Sequence, residues 1–187
     1  SERLKDDMFK EDLRHINTNS DSEVLLNVLA NSIGKATQEN VLTSDIIFEA
    51  VSSVYERCEG AFAVVSMINN FGLLAFRDPN GIRPLVIGKL KNSYIFASET
   101  CALDIVGATF IREVENGEIV FVENNRLYSL KPFPKQKPRP CVFEYVYFAR
   151  PDSLINNKCA YEYRKNLGIE LAKETDLKAD LVVPVPD

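Results

Sequence analysis

The sequence predicts an α+β protein in which antiparallel sheets carry helices on their faces, followed past a proline-rich connector by the opening of an α/β unit. Three observations carry this reading. Stretches at helical spacing occupy the chain before residue 60, short β-rich segments separated by turn residues fill 61–130, and four prolines fall within 131–140. Adjacent strands on short connections argue for antiparallel sheets and against an alternating βαβ array in the middle of the chain.

Taken in order, residues 2–14 place Leu4, Met8, Phe9 and Leu13 near helical spacing among charged neighbours, the pattern of a solvated amphipathic helix. After an interruption at 16–19, Ser20-Asp21-Ser22-Glu23 opens a second helix, with Ser20 as N-cap and Glu23 three positions on as its capping-box partner. A third helix is expected over 45–58, with Thr43 or Ser44 at its start and Gly60 beyond its end. Strands are expected at 61–68, 73–76, 85–87, 94–97, 118–123 and 126–130, and a short helix at 99–106. Asp78-Pro79-Asn80-Gly81 is the clearest turn: Asp bonds back to the backbone, Pro presets φ and Gly completes a type I pattern. Beyond the prolines, the pattern predicts a strand at 142–148, a helix at 160–175 and a buried-type strand at 181–185.

Composition excludes several function classes. With 45% apolar and 26% charged residues, the chain has the means to bury a core. Lys plus Arg number 22 against 27 Asp plus Glu, a formal charge of −5 with no basic run, so no electrostatic footprint for nucleic acid is present. No apolar run has the length of a membrane span and the first residues carry no signal-peptide pattern, so a soluble, cytoplasmic protein is expected. Cys58, Cys101, Cys141 and Cys159 form no CxxC pair and His15 is the one imidazole, which leaves zinc unsupported.

Asp21 falls in the first turn of the second helix, where a carboxylate gains from the macrodipole; the same position also lets it project toward a cationic ligand such as an α-ammonium group. Arg77 and Arg83 flank the tight turn and either clamp an anion or pair with Asp78 and nearby carbonyls. Spacing alone does not choose between these alternatives.

Three segments carry a resemblance: 14–23 (RHINTNSDSE), 76–85 (FRDPNGIRPL) and 143–153 (FEYVYFARPDS). In that order they resemble the amidophosphoribosyltransferases, and the third, with its ARPDS run, is the most specific. The resemblance implies a partial N-terminal-nucleophile glutaminase αββα sandwich, followed by the start of an α/β type I phosphoribosyltransferase domain. Its boundaries are 1–131 for the glutaminase part, 132–140 for the connector and 141–187 for the second domain. The implied parent activity transfers ammonia from glutamine to phosphoribosyl pyrophosphate, giving phosphoribosylamine at the first committed step of purine synthesis.

In that family the nucleophile is an N-terminal cysteine, whose own α-amino group serves as base. The pattern places the start of this chain downstream of it, so Ser1 is expected to be a truncation point and no catalytic residue is assigned. The expected oxyanion donors also precede the chain, and a site without one forgoes about 3–4 kcal/mol of transition-state stabilisation. The fragment alone is therefore expected to be inactive, and its open sheet edges to favour aggregation.

By the same resemblance Asp21 binds the glutamine α-amino group, while Tyr147 and Arg150 border an interdomain passage, a role that core packing of Phe143, Tyr145 and Tyr147 also contests. Mg2+ is implied in the parent enzyme at a site outside this chain. Cys141 matches a position that ligates an iron–sulfur cluster in some members only. A homo-oligomer is expected. The competing readings are a different class II glutamine amidotransferase, against which the ARPDS and PVPD segments weigh, and a short binding protein built on the remnant sheet.

Overall fold

Central strands buried on both faces organise the fold. The computed structural model describes residues 2–12, 16–18, 20–38 and 40–183. In chain order it holds α1 (Glu2–Glu11), α2 (Asp21–Ala36), α3 (Ser44–Arg57), β1 (Ala63–Ile68), β2 (Gly72–Arg77), β3 (Val86–Leu90), β4 (Ser93–Ala97), α4 (Thr100–Ile105), β5 (Thr109–Glu113), β6 (Ile119–Glu123) and β7 (Arg126–Leu130). One antiparallel sheet has the order β1-β2-β6-β7 and the second β4-β3-β5.

Register explains the layering. Leu74 faces Phe121 and Phe76 faces Ile119 across β2 and β6, and these four turn to the helix side, where α2 and α3 supply Val24, Val28, Ile47, Val51 and Val54. The intervening pair, Ala75 and Val120, points the other way and meets Leu85, Ile87 and Val114 from the second sheet. Because successive side chains alternate faces, strands with both faces covered need the continuous apolar runs seen at 73–76 and 119–122. On the far side of the second sheet, Val86 packs with Leu103 of α4 and with Ala108. A Cβ at Gly88 would stand 2.6 Å from Leu103, so glycine permits that close approach. The layers are thus helix, sheet, sheet, helix.

Local chemistry fixes the ends. Thr43 caps α3 by accepting the Ile46 N–H. Asp12, just past α1, accepts from Lys35 at 2.9 Å and Arg57 at 2.8 Å and ties the first helix to the ends of the next two. Asn124 and Asn125, both at positive φ, make the two-residue turn between β6 and β7. The expected type I turn is present: Gly81 N–H donates to the Asp78 carbonyl at 3.0 Å, and the Asp78 carboxylate accepts from Asn80 and Ile82 N–H groups. Glu118 opens β6 with its carboxylate buried, taking both guanidinium arms of Arg112 at 2.7 Å, the Ser129 hydroxyl at 2.6 Å and the Glu115 N–H at 2.7 Å. Burial pushes this carboxyl up, but those donors outweigh it and hold it below the ordinary carboxylate range.

Four expectations are corrected. Residues 142–148 form no strand: Glu144–Phe148 is a π-helical turn, closed by Ala149 N–H to the Glu144 carbonyl at 3.0 Å. The alternating aromatics had a strand's period, yet no sheet edge lies beside them among the described residues, and the backbone satisfies itself locally. The segment 109–113, to which the sequence pattern assigns no element, is strand β5 on the edge of the second sheet. Residues 154–159, read as loop, form a hairpin of β8 (Leu154–Ile155) and β9 (Lys158–Cys159) about Asn156 and Asn157, again at positive φ. After α5 (Ala160–Lys173), Leu181, Val182 and Val183 are exposed and irregular, since no described strand pairs with them. Residues 184–187 lie outside the described residues, as do Ser1, Leu13, Arg14, His15 and Asn19.

Two outcomes are expected. Gly81 has φ +61° and its added Cβ would overlap the Asn116 side chain, so Gly81→Ala should cost about 1–3 kcal/mol, read as a lower urea midpoint at unchanged slope. Because Glu118 titrates below its ordinary value of 4.5 when folded, its contribution is full above that pH and fades as pH falls through the depressed value. The Tm gap between the parent chain and Glu118→Gln should therefore be widest near neutrality and narrow below pH 4.5.

Candidate functional site

The start of α2 is built by a carboxylate that reaches backwards. Ser20 accepts the Ser22 N–H at 3.3 Å, but Glu23 does not complete the expected capping box with Ser20. Its oxygens instead accept the N–H groups of Asn17 and Thr18, each at 2.8 Å, and the Thr18 hydroxyl at 2.6 Å. These bonds, the Thr18 hydroxyl foremost, hold the Glu23 carboxyl below the usual range. The loop before the helix is thereby wound onto Glu23, which leaves Asp21 exposed in the first turn with no side-chain partner among the described residues.

Asp21 borders an open cleft of about 1570 Å³. Ser22, Val64, Arg83, Glu144 and Phe148 also line it. Val64 belongs to β1, an edge strand whose neighbours Val65 and Met67 are exposed. The cleft therefore joins two of the segments singled out in the sequence, the helix start and the turn after β2, to the third.

The arginines divide the alternatives between them. Arg77 is 4% exposed and gives Nε to the Arg83 carbonyl at 2.6 Å, Nη1 to Val114 O at 2.9 Å and Nη2 to Gly81 O at 3.0 Å. Nη1 also pairs with Glu113 at 3.4 Å, so every nitrogen of this buried guanidinium is engaged within the protein. Arg83, in contrast, reaches Glu144 at 2.8 Å and lies over the Phe148 ring at 5.0 Å. Burial pushes the Glu144 carboxyl up; Arg83 opposes that and Glu99 adds to it.

Tyr147 is 64% exposed in the π-helical turn, its ring edge-on to Phe148 at 5.9 Å, and it does not line the cleft. The Arg150 guanidinium is exposed and held by both Asp152 oxygens at 3.0 Å. Cys141 is half-buried, with its N–H on the Ile82 carbonyl at 3.0 Å. Among the described residues no three His, Cys, Asp or Glu side chains stand together for a metal, so these residues by themselves do not fit an iron–sulfur cluster or a Mg2+ ion, and no step is routed through Cys141. Among the described residues, no helix is long and apolar enough to cross a membrane.

Glu99 and Glu144 are the site residues that sequence reasoning missed. Glu144 lay inside a motif already singled out, and its buried charge is explained by an arginine in another one. Glu99 offered one signal, an acidic residue at the N-cap position of α4 that makes no side-chain cap.

Comparison with known proteins accords with this geometry. A family model described as a glutamine amidotransferase domain matches residues 2–104, more than half of the chain. The chain belongs to the glutamine amidotransferase domain family. Its homologues include the amidophosphoribosyltransferases of Pseudomonas aeruginosa, 43% identical over 196 residues, and Haemophilus influenzae, 46% identical over 200 residues. Each alignment takes in 100% of this chain and 39% of the relative, so the chain spans about two fifths of the length of these curated relatives. Among solved structures, the glutamine phosphoribosylpyrophosphate amidotransferase of B. subtilis, complexed with ADP and GMP, superposes with a TM-score of 0.79 at 36% identity, over 96% of this chain and 37% of that one. The αββα layering of this amidotransferase domain and the mixed helix and sheet beyond it accord with that match.

For this amidotransferase domain, Arg77→Lys keeps the charge but loses the fork that meets three carbonyls. It should destabilise by about 2–4 kcal/mol, since buried acceptors are left unpaired. Thermal unfolding of the variant beside the parent measures this.

Proposed function

We propose that this chain is part of an amidophosphoribosyltransferase, which uses glutamine and water to deliver ammonia to phosphoribosyl pyrophosphate, releasing glutamate, phosphoribosylamine and pyrophosphate. One observation carries the reading. The glutamine amidotransferase match ends at residue 104, yet similarity to the named enzymes continues through the connector and the π-helical turn to the end of the chain. A class II amidotransferase with another second domain would share the first part alone.

In this reading the residues present bind and position. Asp21, which lines the cleft without a side-chain partner among the described residues and follows the Glu23-wound loop, offers its carboxylate to the α-ammonium of glutamine. The nucleophile is the N-terminal cysteine of the family pattern, its amino group taking the thiol proton before attack on the side-chain amide. Ammonia then displaces pyrophosphate from the anomeric carbon at the phosphoribosyl site. Tyr147 and Arg150, at the junction between the two parts, border the passage between those centres. Mg2+ would be held outside these residues, and the enzyme works in the cytoplasm as a homo-oligomer.

The test compares glutamine hydrolysis by these 187 residues with that by the chain extended at both ends to the length of its relatives. Glutamate release by the extended form alone is expected, with Asp21→Ala raising its KM for glutamine by about tenfold or more and changing kcat less. Activity of the 187-residue chain on its own would mean that the nucleophile is misplaced and that Ser1 must be reconsidered.

A further inference from the structure

At the start of α4, the side chains of Glu99 and Thr100 bond away from the helix, to a distant segment. Glu99 stands at the N-cap with extended backbone, φ −136° and ψ 148°, and makes no cap bond. Its Oε2 instead accepts the backbone N–H of Arg150 and the Ser153 hydroxyl, both at 2.7 Å. The next residue, Thr100, accepts the Leu154 N–H on its hydroxyl at 2.8 Å. Farther along, Glu113 of β5 accepts the Asn156 N–H at 2.6 Å. Three backbone N–H groups of the segment 150–156 are thus held by side chains of the second sheet's layer, and none of the three is held by a strand ladder.

This attachment is built, not incidental. Ser153 is 0% exposed and Thr100 5%, so these acceptors and donors are cut off from water and would be costly to leave unpaired. A carboxylate that takes two short donors on one oxygen makes charge-assisted bonds, roughly twice as strong as neutral ones. Glu99 also borders the same cleft as Asp21 and the Arg83–Glu144 pair. From the other side Arg164 of α5 donates to the carbonyls of Tyr145 and Ala149 at 2.8 and 2.6 Å. The junction 144–154 is therefore gripped between α4 and α5, and Glu99 is the grip that faces the cleft.

We propose that Glu99 is a positioning residue that fastens the 150–153 segment to the start of α4, and that this fastening couples glutamine cleavage to use of the released ammonia. The proposal rests on the functional reading given above. Without the fastener the segment lifts from α4, the cleft opens to solvent at its junction end, and ammonia escapes as ammonium. Glu99 itself touches no reacting atom.

The experiment uses the full-length enzyme with Glu99→Ala, Glu99→Gln and Ser153→Ala. Glutamate and phosphoribosylamine are measured together with both substrates present, ammonia-dependent synthesis is measured separately, and amide hydrogen exchange is followed at Arg150 and Leu154. Glu99→Ala should raise the ratio of glutamate to phosphoribosylamine by about fivefold or more while ammonia-dependent synthesis stays within about twofold. Ser153→Ala should move the ratio the same way but less, and Glu99→Gln, which keeps an acceptor oxygen, should restore part of the coupling. Exchange at both amides should quicken in Glu99→Ala.

A ratio within twofold of the parent in all three variants, or a parallel fall of glutaminase and synthesis, would overturn the proposal. If the parent enzyme makes no phosphoribosylamine from glutamine or from ammonia, the functional reading fails. The exchange data then decide the fastening alone, and unchanged exchange in Glu99→Ala overturns it as well.

Discussion

A guanidinium withdrawn from water must find an acceptor for its N–H groups or cost several kcal/mol, and Arg77 meets that requirement with backbone drawn from three places. Its carbonyl partners are Gly81 and Arg83 in the turn it opens and Val114 just past β5, with Glu113 at 3.4 Å beside them. The last residue of β2 is thereby tied both to the loop that leads into the second sheet and to the end of that sheet's β5. Asp78, also wholly buried, solves the opposite problem: its carboxylate takes the N–H groups of the same turn. The two buried charges do not pair with each other. Asp78 is met by backbone N–H groups and Arg77 by three backbone carbonyls and the Glu113 carboxylate, so the 77–83 turn has one conformation in which both are satisfied.

That single conformation sets the surface on which the rest of the chain is laid. Asn80 and Ile82 present outward carbonyls that take the N–H groups of Arg139 and Cys141, so the proline-rich stretch runs against the turn where its own prolines leave few donors. Arg83, next in line, is left facing the junction, where it meets Glu144 and the Phe148 ring. Two arginines six residues apart thus do unlike work, one within the sandwich and one across the boundary. Lysine could serve the second as a charge but not the first as a fork.

Much of this was legible because it is local or periodic. The apolar runs at 73–76 and 119–122, the Thr43 cap and the Asp78 turn are written in neighbouring residues, and the antiparallel order followed from short connections. What escaped depends on contacts between distant parts. The aromatics of 143–148 have a strand's alternation, and only the lack of an adjacent sheet edge makes them a π-helical turn. Strand β5 has a modest pattern, and its pairing with β3 is what makes it a strand. Glu23 carried a capping-box spacing, yet the chain before it folds close enough for Asn17 and Thr18 to outbid Ser20. Asp21 was singled out through its motif, whereas Glu99 has partners 51 and 54 residues away that no window of sequence joins to it.

The two halves of the junction differ in how they are held, and that difference bears on what can move. Inside the sandwich, strand ladders and double-sided burial make each contact depend on many others, so small displacements are opposed throughout. The segment 144–156 is attached to the sandwich chiefly through side chains, namely Arg83 to Glu144, Glu99 to Arg150 and Ser153, Thr100 to Leu154 and Glu113 to Asn156. Side-chain fasteners release one at a time and at modest cost, whereas a ladder gives way cooperatively. Under the function proposed above, a segment that seals a passage during one step and admits a substrate in another would be served by the first kind of attachment. The exposed Tyr147 ring and the Arg150–Asp152 pair sit on that segment, so whatever they meet across the junction inherits its freedom to open.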